Sequence, residues 1–152
     1  MTSTDTQTST QRDLSEQAAR LRLAVNRMAR RLRQEASTDL GPASIAALAS
    51  IERSGPLTPS ELARIEGIQR PTATRVLGRL SEAGLVSRTS DPTDGRSAIV
   101  QITGEGRKVL NRLRKRKTAY LAKKMRTLPD DDVATLARAA EILEQVLEED
   151  RS

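Results

Sequence analysis

The chain has 152 residues, with 26 Lys and Arg against 20 Asp and Glu and a single aromatic side chain, a length suited to one domain with its own core. Neither Cys nor His occurs, which excludes a thiolate nucleophile, an imidazole base, a thiol redox sensor and zinc sites of the usual ligand types. Charge is unevenly spread: residues 60–117 hold 13 basic and 6 acidic side chains and residues 118–152 hold 5 and 8, so a polyanion-binding lobe beside a lobe with another task is expected.

Residues 1–11 are rich in Thr and Ser with no apolar period and predict a disordered tail. From Leu14 a narrow stripe of Leu14, Ala18, Leu21, Val25, Met28 and Leu32 predicts a helix over residues 12–35 that packs against other helices. Gly41-Pro42 restarts the chain into a second helix with Ile45, Leu48 and Ile51 inward, and Ser54-Gly55-Pro56 ends it. Thr58-Pro59-Ser60-Glu61 reads as a capping box with Pro preset for the first helical position, and Gly67 as the left-handed residue that closes this short helix.

Pro71 opens a further helix that runs to Glu82. Its residues separate by angle, with Ala73, Val76, Leu77 and Leu80 on one side and Thr72, Arg75, Gly78, Arg79 and Glu82 on the other. Two helices joined by a short turn containing Gly form a helix-turn-helix. Gln69 or Arg70 must take the N-cap of the second one and neither caps well, so its open N–H groups suit a phosphate.

Residues 85–89 and 98–103 are strand-like, and the intervening Ser90–Arg96 segment is too long for a two-residue hairpin turn, so it projects. Thr103 caps a long basic helix over residues 104–128 that contains the self-repelling run Arg114-Lys-Arg-Lys117. A last helix follows Pro129, with Asp130, Asp131 and Asp132 favoured by the dipole of its first turn. Along it Val133, Leu136, Ala140, Leu143 and Leu147 form a second narrow stripe.

This order of elements resembles the MarR family of bacterial transcription regulators over residues 12–148. The resemblance is carried by Gly55-Pro-Leu-Thr-Pro-Ser-Glu-Leu-Ala63, Arg70-Pro-Thr-Ala-Thr-Arg75, Arg79-Leu-Ser-Glu-Ala-Gly-Leu-Val86 and Asp91-Pro-Thr-Asp-Gly-Arg96 followed by Ile102-Thr103. It implies a mainly α fold with a small two- or three-stranded antiparallel β-wing. Residues 42–103 would form the winged helix-turn-helix lobe, and residues 12–36 and 104–148 the dimerisation helices of a single domain spanning 12–152. Arg96 would enter a minor groove while Asp94 holds its guanidinium extended and Gly95 lets the backbone come close. Thr72, Thr74 and Arg75 would address base edges, with Arg70 and Arg79 on phosphates. The stripes from Leu14 to Met28 and from Val133 to Leu147 would pair across a two-fold axis, giving a homodimer on a palindromic operator.

Members of the family commonly repress genes, and a small organic effector, frequently aromatic and anionic, often releases them from DNA. The junction near residues 37–53 is dominated by Ser, Thr, Asp and small apolar residues and names no such ligand. No phosphate loop, nucleophile motif or metal-ligand spacing points to an enzyme, and no cofactor is implied. A nucleoid-type architectural protein with little sequence preference is the alternative reading. With no signal peptide and no apolar run near 18 residues, a cytoplasmic protein without a membrane partner is expected.

Overall fold

The computed structural model describes residues 3–149 apart from 91, 94, 96 and 97, with side chains described from residue 11 onward. Its elements run α1 (Ser3–Glu35), α2 (Gly41–Ser54), α3 (Pro59–Glu66), α4 (Arg70–Glu82), β1 (Val86–Ser90), β2 (Ala98–Ile102), α5 (Gly104–Met125) and α6 (Asp130–Glu149). The expected mainly α architecture with a small antiparallel sheet is thus what the chain forms.

Two helix boundaries differ from expectation by more than one residue. Helix α1 begins at Ser3, so the disordered tail expected over residues 1–11 gives way to helix from its third residue. Residues 3–35 contain neither Gly nor Pro, and once the periodic part has nucleated, each further residue adds a backbone hydrogen bond. The long basic helix stops at Met125 rather than Leu128. Thr127 and Leu128 donate their N–H groups to Lys124 and Met125 at 3.2 and 3.0 Å in tight turns, as suits a segment whose last residue precedes Pro129 and is disfavoured in helix.

The local signals for α3 hold in detail. The Glu61 N–H donates to Thr58 Oγ1 at 3.2 Å and the Thr58 N–H donates to Glu61 Oε2 at 2.7 Å, so both ends of the capping box are made. Gly67 closes the helix at φ 63°, and its successor Ile68 donates to the Ala63 carbonyl at 3.0 Å. A side chain at this left-handed position would be strained.

Strands β1 and β2 pair antiparallel with Val86 opposite Ile102 and Ser90 opposite Ala98. A third strand is reduced to one residue: Leu57 exchanges two backbone hydrogen bonds with Val100, at 2.9 and 2.8 Å. These contacts seat the sheet on a core in which Leu48 and Ile51 of α2, Leu62 of α3, Leu77 and Leu80 of α4 and Val100 of β2 are fully buried. Each such aliphatic side chain contributes about 1.5–3 kcal/mol on burial.

Helix α5 is locked to this lobe at its first turn. Thr103 Oγ1 accepts from the Gly106 N–H at 3.1 Å and donates to the Gly84 carbonyl at 2.8 Å. Farther along, Arg114 donates to Glu52 of α2 at 2.5 Å, and that hydrogen bond holds the Glu52 carboxyl below the usual carboxylate range. Helix α1 lies on the same helix, where Arg31 donates to the Tyr120 hydroxyl at 3.1 Å and its guanidinium sits 5.3 Å from the ring centre. Helix α6 has no buried residue at all. Among the described residues, no helix is long and apolar enough to cross a membrane.

Gly106 is where α5 presses closest on the wing. A Cβ there would collide with the backbone carbonyl of Leu85 and lie 2.7 Å from Cγ1 of Ile102. Gly106→Ala is therefore expected to destabilise the fold by about 1–3 kcal/mol through overpacking, despite the better helix propensity of Ala. Urea unfolding of the two proteins measures it, and a variant as stable as the parent would show that the α5–wing contact yields freely.

Candidate nucleic-acid interface

The sidedness predicted for α4 is present in the fold. Ala73, Val76, Leu77 and Leu80 are buried, while Gln69, Arg70, Thr74, Arg75 and Arg79 are exposed and Thr72 is half-buried. Burial of the back fixes the rotation of the helix, because turning it would expose four apolar side chains at once. The front is therefore not interchangeable with the back.

Within the front, the expected contact residues divide into two edges. Thr72, Arg75 and Arg79 share one edge, where they meet residues 40–44 at the start of α2 around a shallow recess of about 240 Å³. At about 100° per residue, Arg70 and Thr74 fall on the opposite edge. Arg75 lies closest to the crest, beside Gly78. Nothing approaches within 4 Å of where a Gly78 Cβ would stand, so the crest is open.

The N-terminus of α4 is uncapped as predicted. Gln69 takes the N-cap position in extended conformation, and its side chain makes no capping hydrogen bond. Pro71 follows in the first turn, and no acidic residue is present there to meet the positive end of the helix dipole. At the other end Gly84, at φ 72°, lets the Leu85 N–H reach the Leu80 carbonyl at 2.9 Å, a left-handed closure that turns the chain straight into β1.

The placement of α3 ahead of this helix depends on a contact that sequence reasoning missed. Ser50 of α2, almost fully buried, donates its hydroxyl to the Glu66 carboxylate in the last turn of α3 and accepts from Arg53 at 3.1 Å. A serine in an Ala-rich helix gives no sign that it will be buried opposite a carboxylate 16 residues away. The buried hydroxyl is thereby satisfied where an unpaired group would be costly.

At the wing, β1 and β2 carry the chain to an exposed turn containing Pro92, Thr93 and Gly95. Asp94 and Arg96, the side chains expected at its tip, lie outside the described residues.

Between the two lobes, α1, α2 and α5 enclose a cavity of about 500 Å³. Ile45, Ala49 and Leu113 supply apolar walls, and Arg30, Arg33 and Lys117 also line it. The stretch 37–53 supplies none of these three cations, which arrive from α1 and α5.

The basic run on α5 also resolves once it is wound into a helix. Arg114 turns to Glu52 and Lys117 lines the interlobe cavity. Lys115 and Arg116 point elsewhere and join Lys108, Asn111 and Arg112 on an outer face.

Comparisons with known proteins agree with this geometry. Residues 38–97 match the model described as MarR family. Over 133 residues the chain is 31% identical to an HTH-type transcriptional regulator of Mycobacterium leprae, covering 87% of this chain and 93% of that protein. Among solved structures, a transcriptional regulator from Pseudomonas aeruginosa superposes with a TM-score of 0.79 at 32% identity, covering 90% of this chain and 96% of that one. A mutant MarR from E. coli complexed with operator DNA gives a TM-score of 0.58 at 26% identity, covering 89% and 96%.

The open N-terminus of α4 yields a direct test. Gln69→Ser should raise stability by about 0.5–2 kcal/mol, since the shorter side chain can accept from the orphan N–H groups. Denaturant titration reads the change; an unaltered midpoint would mean that these donors are already satisfied in the free protein.

Proposed function

The chain belongs to the MarR family of transcriptional regulators, and from that premise we propose that it is a homodimeric, sequence-specific binder of double-stranded DNA that represses transcription from a palindromic operator. The two-sidedness of α4 carries this reading. An apolar back seated in a closed core leaves an Arg and Thr front, with an uncapped and therefore electropositive N-terminus, free for a duplex. Arg75, nearest the crest, can address guanine O6 and N7 together, and Thr72 and Thr74 can offer a hydroxyl or a methyl to a base edge. Arg70 and Arg79, on the flanks, suit phosphates.

In the same reading Arg96 enters the neighbouring minor groove. Guanidinium is planar and permanently charged, and a narrow minor groove concentrates negative potential. Asp94 steadies that guanidinium, and Gly95, in the exposed turn, permits close backbone approach.

Dimerisation is supported by what the single chain leaves uncovered. Leu14 and Leu147 are 66% and 64% exposed, and Leu21, Val25, Met28, Leu136 and Leu143 are also exposed. Val133 is half-buried and Ala140 exposed on the same face of α6. Apolar surface of this extent calls for a partner. The charges agree: α6 holds seven acidic residues and one basic, whereas residues 12–35 of α1 hold seven basic and three acidic. Helix α1 of one copy against α6 of another joins opposite charges as well as apolar stripes. A two-fold dimer presents its α4 helices to half-sites about 34–36 Å apart.

The interlobe cavity is the place for a small organic effector. Apolar walls with cations from two other helices suit a compact amphipathic anion, and occupancy would bias how the lobes sit on DNA. An aromatic carboxylate is expected to raise the melting temperature of the parent and to do so much less with Lys117→Ala; equal shifts in both proteins would place the ligand elsewhere.

Selection of bound sequences from random duplexes tests the main reading. A palindromic consensus is expected, with Arg96→Ala weakening binding and Arg75→Ala costing about 1–3 kcal/mol while relaxing preference at one position per half-site. Absence of any consensus, with a steep salt slope on every duplex, would favour an architectural protein instead.

A further inference from the structure

Helix α5 carries nine Lys and Arg and a single Glu between Gly104 and Met125. Three of these cations have local reasons to be there. Arg114 pairs with Glu52, Lys124 lies 5.7 Å from the Tyr120 ring centre and Lys117 faces the interlobe cavity. The outer face is different. Lys108, Asn111, Arg112, Lys115 and Arg116 with Ala119 surround an open groove of about 560 Å³, and among the described residues no acidic side chain lines it. Among the described residues, Lys108 is the one cation of this face in an ion pair, with Glu105 at 3.0 Å on the same helix.

This arrangement works against the isolated helix. Lys108 and Arg112, and then Arg112 and Arg116, stand four residues apart, where like charges repel. Nothing in the packing of α5 requires them, because the helix meets the core through Gly106, Leu110 and Leu113 on its other side. The repulsion is relieved by a polyanion laid along the face.

We propose that the outer face of α5 binds the phosphate backbone of duplex DNA flanking the operator. This inference rests on the DNA-binding reading above. Three observations select duplex DNA over an acidic protein. The face is cationic and amide-bearing with no large apolar side chain, whereas the centre of a protein interface is apolar and depleted of charge. Its cations recur along the helix with Cβ separations of about 5–6 Å at each four-residue step, which suits a regular ladder of charges. Finally, α5 is fixed to the base of the wing through Thr103 and Gly106, so the ladder is held rigidly on the lobe that grips the operator. At 1.5 Å per residue it spans about 12 Å from Lys108 to Arg116, a length along which a duplex presents about seven phosphates.

The test compares two duplexes, one ending at the selected palindrome and one extended by about one helical turn, 10 bp, on each side. For the parent, the plot of log affinity against log salt should be steeper on the extended duplex by about two to four units, since each neutralised phosphate adds about 0.9. The variant Lys108→Gln, Arg112→Gln, Lys115→Gln, Arg116→Gln should lose that increment and keep the parent's affinity on the short duplex. A charge-preserving variant, Lys108→Arg, Arg112→Lys, Lys115→Arg, Arg116→Lys, should retain it. Thermal melts of all three proteins confirm folding, and the Gln variant should melt no lower than the parent because a repulsion has been removed. An equal slope on both duplexes for the parent, or an unchanged increment in the Gln variant, overturns the flank contact alone. Failure of the parent to prefer the palindrome overturns the operator reading and this inference together.

Discussion

Burial of one side of α4 is the constraint on which the rest of the structure depends. Ala73, Val76, Leu77 and Leu80 enter a common core with Leu48, Ile51, Leu62 and Val100. That core contains no aromatic side chain, so it is filled by closely approaching aliphatic surfaces whose fit leaves little rotational freedom. Once the back of α4 is held, Arg75 and its neighbours have a fixed direction. The capping box of α3, the left-handed closures at Gly67 and Gly84 and the Ser50–Glu66 contact all serve the same end, since each restricts where α4 begins or ends.

Charge is organised on a longer scale than any single pair. Helices α4 and α5 are net positive and α6 is net negative, and the basic residues within α5 are sorted by rotation about its axis. One turns inward to Glu52 and one lines the interlobe cavity, while others remain on the outer face. Exposed ion pairs of this kind contribute little to stability. Their value lies in the field they set up, which favours a polyanion on the positive side of the molecule.

Elements with strong local signals were legible in the chain itself. The Thr58–Glu61 box, the Thr103 cap, the absence of a cap at Gln69 and the apolar side of α4 are properties of a few neighbouring residues, and periodicity or side-chain chemistry exposes them directly. The start of α1 was not legible in the same way. Thr and Ser in its first turns look like a tail by composition, yet no breaker separates them from a helix already formed downstream. The end of α5 was overrun for the converse reason, since apolar Leu128 continued a pattern that Pro129 had already closed.

By itself the amino-acid sequence determined the order of helices and strands, the two faces of α4 and the apolar stripes of α1 and α6, because each is set by spacing within one segment. Only the tertiary structure decided which side chains from distant segments converge. Arg30, Arg33 and Lys117 around one cavity, Ser50 against Glu66, and Gly106 pressed on Leu85 have no local signature. Their proximity comes from how helices cross and close-pack, a property of the whole core that no window of sequence contains.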